Sequence, residues 1–256
     1  MSGPDAGVGL ADWLALREPA DAGARSVELL DRVALPPGAT VVDLGSGTGS
    51  MARWVAGHRP SVRRWVLVDR DADLLRRAYG LPGAMEHRPR DLADLTAADL
   101  SGADLVTASA LLDVLTADQL ERVADACAAA GCPVLVTLTV AGRVALTPAD
   151  PLDAEVAAAF DAHQRRALLG PDATSAAVRA FGRRGMAVEV RPSPWRLSAA
   201  HAALAVEWLR GWVAAACEQR PELAGPAAAY SARRRADAAA GRLTVVVEHT
   251  DLLATR

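Results

Sequence analysis

Short apolar runs alternate with amphipathic stretches, and from residue 40 to residue 138 the alternation is regular. Thr40 to Leu44 is β-branched and apolar, the mark of a buried strand, and a helix from Ser50 to about His58 follows it. The pattern then repeats. A strand from Arg64 to Asp69 precedes a helix from Ala72 to Tyr79, and a weaker strand spans Ala84 to Arg88. A strand from Asp104 to Ser109 comes next, then a helix from Thr116 to Ala130 with Leu120, Val123 and Cys127 on one face, and a strand from Pro133 to Leu138. Strands alternating with helices imply an α/β fold, a parallel sheet with helices on both faces.

The flanks are more helical. Residues 1 to 9 are small and polar and are expected to be disordered. A helical segment around Trp13, Leu14 and Leu16 is interrupted at Pro19, and a second helix runs from about Ala22 to Val33, ended by Pro36-Pro37-Gly38. Arg17, Glu18, Asp21 and Arg25 share near-helical spacing, which suits local ion pairs on a solvated face. Residues 147 to 185 hold two helices joined by Gly170-Pro171-Asp172. A strand at Ala187 to Val190, a helix from Ala199 to Gln219 capped by Ser198, and a last strand from Leu243 to Glu248 complete the chain. Leu204, Trp208 and Trp212 at helical spacing predict core. Arg233, Arg234 and Arg235 predict a solvated helix face. There is no internal repeat and no low-complexity linker.

The chemistry concentrates where the first strand ends. Val41-Val42-Asp43-Leu44 runs straight into Gly45-Ser46-Gly47-Thr48-Gly49-Ser50. Strand, glycine turn and helix N-terminus build a ligand cradle at the carboxyl edge of a parallel sheet. Glycine permits the turn and lets a ligand lie against backbone. A dinucleotide fingerprint needs a glycine where Ser50 stands, and no Lys-Ser/Thr pair follows to make a P-loop. Asp69 closes the second strand, where a carboxylate can accept bonds from both ribose hydroxyls of a nucleoside. Its alternative is an N-cap for the next helix, for which Asp71 is better placed.

Composition narrows the class. At 256 residues, 51% apolar and 23% charged, the chain suits one large globular domain. Aromatics are only 4%, so the core must be mostly Ala, Val and Leu. A net charge of −3 argues against a nucleic-acid surface built on phosphate neutralisation. Cys127, Cys132 and Cys217 lack the spacing of a disulfide framework or a zinc site, so no metal is expected. No signal peptide and no apolar run long enough to span a bilayer is present, and a cytoplasmic protein without membrane contact is expected.

The D-x-G-x-G-x-G string from Asp43 to Gly49, with Asp69 and Asp91 at later strand ends, resembles motif I and its partners in the class I S-adenosylmethionine-dependent methyltransferases. The likeness covers most of the chain. His163-Gln164-Arg165, Gly170-Pro171-Asp172 and His249-Thr250-Asp251-Leu252-Leu253 resemble a bacterial branch of unassigned substrate. The resemblance implies a Rossmann-like sheet of seven strands, mostly parallel, with an antiparallel last strand inserted beside the fifth. It implies one domain: an N-terminal helical cap over 1–39, a cofactor-binding core over 40–146, and substrate-side insertions with C-terminal strands over 147–256. The implied cofactor is S-adenosyl-L-methionine, leaving as S-adenosyl-L-homocysteine, held by Gly45, Ser46, Gly47, Thr48, Gly49, Asp43, Asp69, Arg70 and Ser109. Asp91 and Leu92 would meet the adenine, and Arg25 the cofactor carboxylate.

The implied reaction is methyl transfer to a small-molecule acceptor by in-line displacement. The Asn/Asp-Pro-Pro-Tyr string of nucleic-acid amino methyltransferases is missing, and so is the cysteine setting of cytosine C5 enzymes. A hydroxyl or amine acceptor needs a base. Asp113, His163 and His249 are candidates, although Asp113 can cap a helix and either histidine can be structural. His163 is the preferred pocket-facing residue, on the argument that Ala158, Ala162 and Leu169 mark an apolar face near it, with Arg165 pairing an acidic substrate. Two alternatives stay open: a protein of this fold that binds the cofactor without turnover, and a nucleotide-dependent oxidoreductase. The sequence does not speak to oligomeric state.

Overall fold

The computed structural model describes residues 8 to 256. The expected disorder of residues 1 to 9 therefore falls mostly outside the described residues.

The regular alternation becomes a parallel sheet. Strands β1 (Thr40–Leu44), β2 (Arg64–Asp69), β3 (Ala84–Pro89), β4 (Leu105–Ser109) and β5 (Val134–Thr147) alternate with helices α3 (Ser50–His58), α4 (Ala72–Arg76) and α5 (Ala117–Ala130). Successive side chains on β1 leave on opposite faces. Val42 and Leu44 join Leu120, Val123, Ala177 and Phe181 in one core, while Val41 joins Met51, Val55 and Leu75 in another. Residue Thr116 and Gln119 form a capping box at the start of α5, and left-handed Gly131 ends it. Asp71 caps α4, accepting from the Asp73 and Leu74 amides at 2.8 and 3.2 Å.

The C-terminal part adds β6 (Ala187–Pro192), β7 (Trp195–Leu197) and β8 (Thr244–Thr255). The sheet order is β3-β2-β1-β4-β5-β8-β6, with β7 paired to β8 off that path. Strand β8 lies between β5 and β6 and is antiparallel to both, as expected. Among the described residues the sheet has eight strands rather than the expected seven. The extra one is Trp195–Leu197, three residues whose pairing with Val245 to Val247 is made by tertiary contact and not by local pattern. Strand β5 is 14 residues long and shifts register twice against β8, so both strands run on past the parallel sheet. Helices α6 (Asp153–Gln164), α8 (Ala202–Gln219) and α9 (Ala224–Ala239) gather there, while α7 (Ala173–Gly182) packs back on the sheet.

Two further expectations are corrected. Pro19 does not interrupt the first helix: α1 runs from Leu10 to Ala24, and the break comes at Arg25-Ser26 before α2 (Val27–Asp31). Proline removes one helical bond, but ties on both sides hold α1 together. Glu18 pairs Arg53 at 2.6 Å, and Asp21 accepts from Arg17 and from the Trp195 indole at 2.9 and 3.0 Å. Arg234 is not solvated. It is 1% exposed and grips Asp153 across 81 residues of sequence, while Arg233 pairs with Asp150.

Candidate functional site

The glycine turn leaves β1 at the carboxyl edge of the sheet. The backbone at Gly45 and Gly47 is left-handed, with φ of 63° and 53°, a region that L side chains rarely enter. A Cβ on Gly45 would lie 2.8 Å from Leu111 Cδ1, and one on Gly47 would lie 3.0 Å from Leu14 Cδ1. The turn is held from below: Ser46 N donates to the Val68 carbonyl at 3.0 Å, and Gly47 N donates to Asp69 Oδ2 at 2.8 Å.

Over this turn is a cavity of about 630 Å³, inside the 300–1,000 Å³ range of small-ligand sites. Among the expected cofactor residues, Arg25, Asp43, Gly45, Ser46, Gly47, Thr48, Asp69, Arg70, Asp91, Leu92 and Ser109 all line it. Gly49 does not. It is the left-handed N-cap of α3, and its missing Cβ would point at Ala78 and Arg53.

Each side chain is placed by a distinct contact. Asp43 is fully buried opposite Thr107 on β4, whose hydroxyl donates to Asp43 Oδ1 at 2.7 Å. Among the described residues its Oδ2 has no partner, and neither does the buried Ser46 hydroxyl. Burial pushes the Asp43 carboxyl up to about 7, against the pull of Thr107 and Arg25. Asp69 accepts from Gly47 N through Oδ2 and from Asp71 N through Oδ1, at 2.8 and 2.9 Å, so each oxygen keeps a lone pair. Asp91 accepts from Ala93 N at 2.8 Å, with buried Leu92 beside it. Arg25 is buried and donates to the Ser50 and Ser109 hydroxyls at 3.2 and 3.1 Å. Burial lowers its pKa, partly offset by Asp21. Arg70 is exposed at the rim.

The candidate bases separate. Asp113 and His249 both line a second, smaller cavity that shares Arg17, Ala110 and Val114 with the first. His163 reaches neither cavity: its Nε2 is 3.1 Å from Glu218 on α8. The reason is helix phase. Ala158 and Ala162, expected to be apolar contacts, are exposed, and the buried side of α6 carries Val156 and Ala159. Arg165 pairs with Asp172 at 2.9 Å. The stretch 147–185 still reaches both cavities, through Leu168 in the first and Phe160 and Asp161 in the second. Sequence reasoning passed over Arg17 and Asp21 as a solvated face. Both line the first cavity, Asp21 buried and Arg17 half-buried, and Arg17 Cζ stands 5.0 Å from the Trp195 ring centroid. Their i,i+4 spacing was the available signal.

No protein-family model matches the chain, and no curated protein matches it. Solved structures do. A mycolic acid cyclopropane synthase, CmaA1 in its apo form, superposes with a TM-score of 0.53 at 11% identity, over 97% of this chain and 100% of that one. The cyclopropane synthase MmaA2 from Mycobacterium tuberculosis gives 0.51 at 14% identity, over 89% and 82% of the two chains. The YcgJ protein from Bacillus subtilis gives 0.51 at 12%, over 90% and 97%. With the strand order, these likenesses establish the class I methyltransferase fold. Fold does not carry function, so the chemistry must be argued from the cavities.

Proposed function

We propose that this protein transfers a methyl group from S-adenosyl-L-methionine to a small-molecule acceptor. One observation carries the reading: the glycine turn, the strand-end carboxylate Asp69 and the Asp91-Leu92 pair, far apart in sequence, line a single cavity of about 630 Å³. The residues present fit this cofactor. Asp69 has a free lone pair on each oxygen for vicinal hydroxyls. Asp91 and Leu92 offer a polar group beside an apolar one, which suits an adenine edge and face. Asp43 Oδ2 and Ser46 Oγ are buried polar atoms awaiting partners. Arg25 is the buried cation nearest the turn and the proposed contact for the cofactor carboxylate.

The cofactor supplies an electrophilic methyl group on a sulfonium. The protein's part is to align the nucleophile with that carbon and to exclude water. Arg17, Ala110 and Val114 line both cavities, so the two spaces adjoin there, and a nucleophile held at that end of the second would face a methyl group held at that end of the first. The second cavity is about 180 Å³, which suits a small acceptor. Among the described residues no helix is long and apolar enough to cross a membrane, and no cluster of metal-ligating side chains is found among them.

The test is transfer of label from methyl-labelled S-adenosylmethionine into an extract of small metabolites. Labelled product that is lost in the Asp69→Ala variant is expected. Tight cofactor binding with no labelled product from any fraction would leave a binding protein and overturn the transferase reading.

A further inference from the structure

The second cavity has its own chemistry. The chain contains ten Phe, Trp and Tyr residues. Five of them, Trp13, Phe160, Trp195, Trp208 and Trp212, line this one space of about 180 Å³. They come from α1, α6, β7 and α8, so the grouping is made by the fold. Trp208 and Trp212 stack at 5.0 Å between centroids and 21° between planes. Trp195 lies 5.3 Å from the His249 ring and 6.5 Å from Trp13.

An aromatic cluster that served only as core would have its polar atoms paired. Here three are buried without a partner among the described residues: Asp113 Oδ1, His249 Nδ1 and Trp212 Nε1. Their residues are 9%, 4% and 2% exposed, and all three line the cavity. An indole N–H can only donate, and Asp113 in the ionised form that can take up a proton can only accept. The occupant must therefore offer both a donor and an acceptor. The wall carries two charges of each sign, Arg17 and Arg143 with Asp113 and Asp161, a balance that suits an uncharged occupant. Size sets the last limit: a cavity of about 150 Å³ accommodates benzene, so this one takes a single ring with a few substituent atoms.

Resting on the reading of the first cavity as the cofactor site, we propose that the second cavity binds a neutral single-ring aromatic compound whose N–H or O–H is held by Asp113 and methylated. The ring packs among the tryptophans, and its polar substituents reach Asp113, His249 and Trp212. Ala110, between the cavities, has a left-handed backbone with φ of 50°, a conformation rare for alanine and kept where surrounding structure demands it. In the step, a lone pair of the substituent nitrogen or oxygen attacks the methyl carbon. The carbon–sulfur bond breaks with its electron pair staying on sulfur, and the acceptor proton passes to Asp113 Oδ1. Burial raises the Asp113 pKa, which makes its carboxylate a better proton acceptor than an exposed one.

The test uses the full chain saturated with S-adenosylhomocysteine, whose own binding is measured first by calorimetry. Phenol and aniline are then titrated against cyclohexanol and cyclohexylamine as saturated controls, and 1-naphthol as a two-ring control, with tryptophan fluorescence as readout. The single-ring aromatics are expected to bind at least tenfold more tightly than every control. Asp113→Asn, nearly isosteric, should weaken aniline about tenfold and abolish label transfer to it, with unchanged affinity for S-adenosylhomocysteine. Trp212→Phe keeps a ring, deletes the N–H donor, and should weaken phenol severalfold. Normal S-adenosylhomocysteine binding with no preference for single aromatic rings would overturn this proposal alone. Failure to bind S-adenosylhomocysteine would overturn the cofactor reading and this proposal with it.

Discussion

His249 provides a prediction whose size can be worked from its surroundings. It is 4% exposed on β8, against the Trp195 ring, and burial with nearby Arg17 lowers its pKa from 6.5 to about 3. In the unfolded chain the imidazole protonates near its ordinary value of about 6.5. A depressed folded-state value means that the unfolded chain binds the proton first as pH falls. The stability conferred by neutral His249 is thus full above about pH 6.5 and is lost as pH falls toward 3. The gap corresponds to about 5 kcal/mol in full, of which about 2.5–3 kcal/mol is gone by pH 4.5. Asp43 acts in the opposite direction. Its folded value is raised to about 7, so its contribution is greatest below about pH 4 and declines as pH rises through 7. The two effects are separated by a difference measurement. Urea unfolding of wild type and His249→Asn, followed at pH 7, 6, 5 and 4.5, should show wild type losing about 2.5–3 kcal/mol more than the variant across that range. Parallel stability curves for the two proteins would refute the neutral, buried imidazole.

Arg25→Ala removes a buried donor worth about 1.5–3 kcal/mol and should weaken S-adenosylhomocysteine about tenfold or more by calorimetry; normal affinity with lowered stability would assign Arg25 to its ion pair with Asp21 instead. Arg234→Ala strips the partner from Asp153 and should cost about 3–5 kcal/mol in urea unfolding, with cofactor affinity unchanged. His163→Ala deletes only a partly exposed pair with Glu218, so stability should change by less than about 1 kcal/mol and label transfer should persist; a lost transfer rate would return His163 to the chemistry.

The parallel half of the fold was legible because its signals are local. The run Thr40–Leu44, the three alternate glycines and the apolar face of Leu120, Val123 and Cys127 each state their structure within a few residues. The grouping of Asp43, Asp69 and Asp91 around one cavity was legible for the same reason, because strand ends determine where they emerge. What sequence missed depends on partners far along the chain. Arg234 looks solvated until Asp153 is brought to it, and Trp195 to Leu197 become a strand only against β8. The tryptophans of α8 do belong to a core, as their spacing says, yet the cavity they line needs Trp13 and Trp195 from elsewhere. His163 shows the limit of helix-face arguments. Periodicity names the faces of α6, but only the placement of α8 decides which face is covered.

S-adenosylmethionine, and not a dinucleotide, is the expected ligand of the glycine cavity. The decisive experiment is calorimetric titration of S-adenosylmethionine, S-adenosylhomocysteine and NAD into wild type and Gly47→Val. Valine at this left-handed position, where even a Cβ would lie 3.0 Å from Leu14 Cδ1, places branched bulk in the cradle. The expected result is single-site binding of both sulfur compounds to wild type, no binding of NAD, and loss of both ligands in a Gly47→Val protein that keeps the wild-type circular dichroism spectrum. Binding of NAD in place of S-adenosylmethionine, or unchanged S-adenosylmethionine affinity in Gly47→Val, would contradict it.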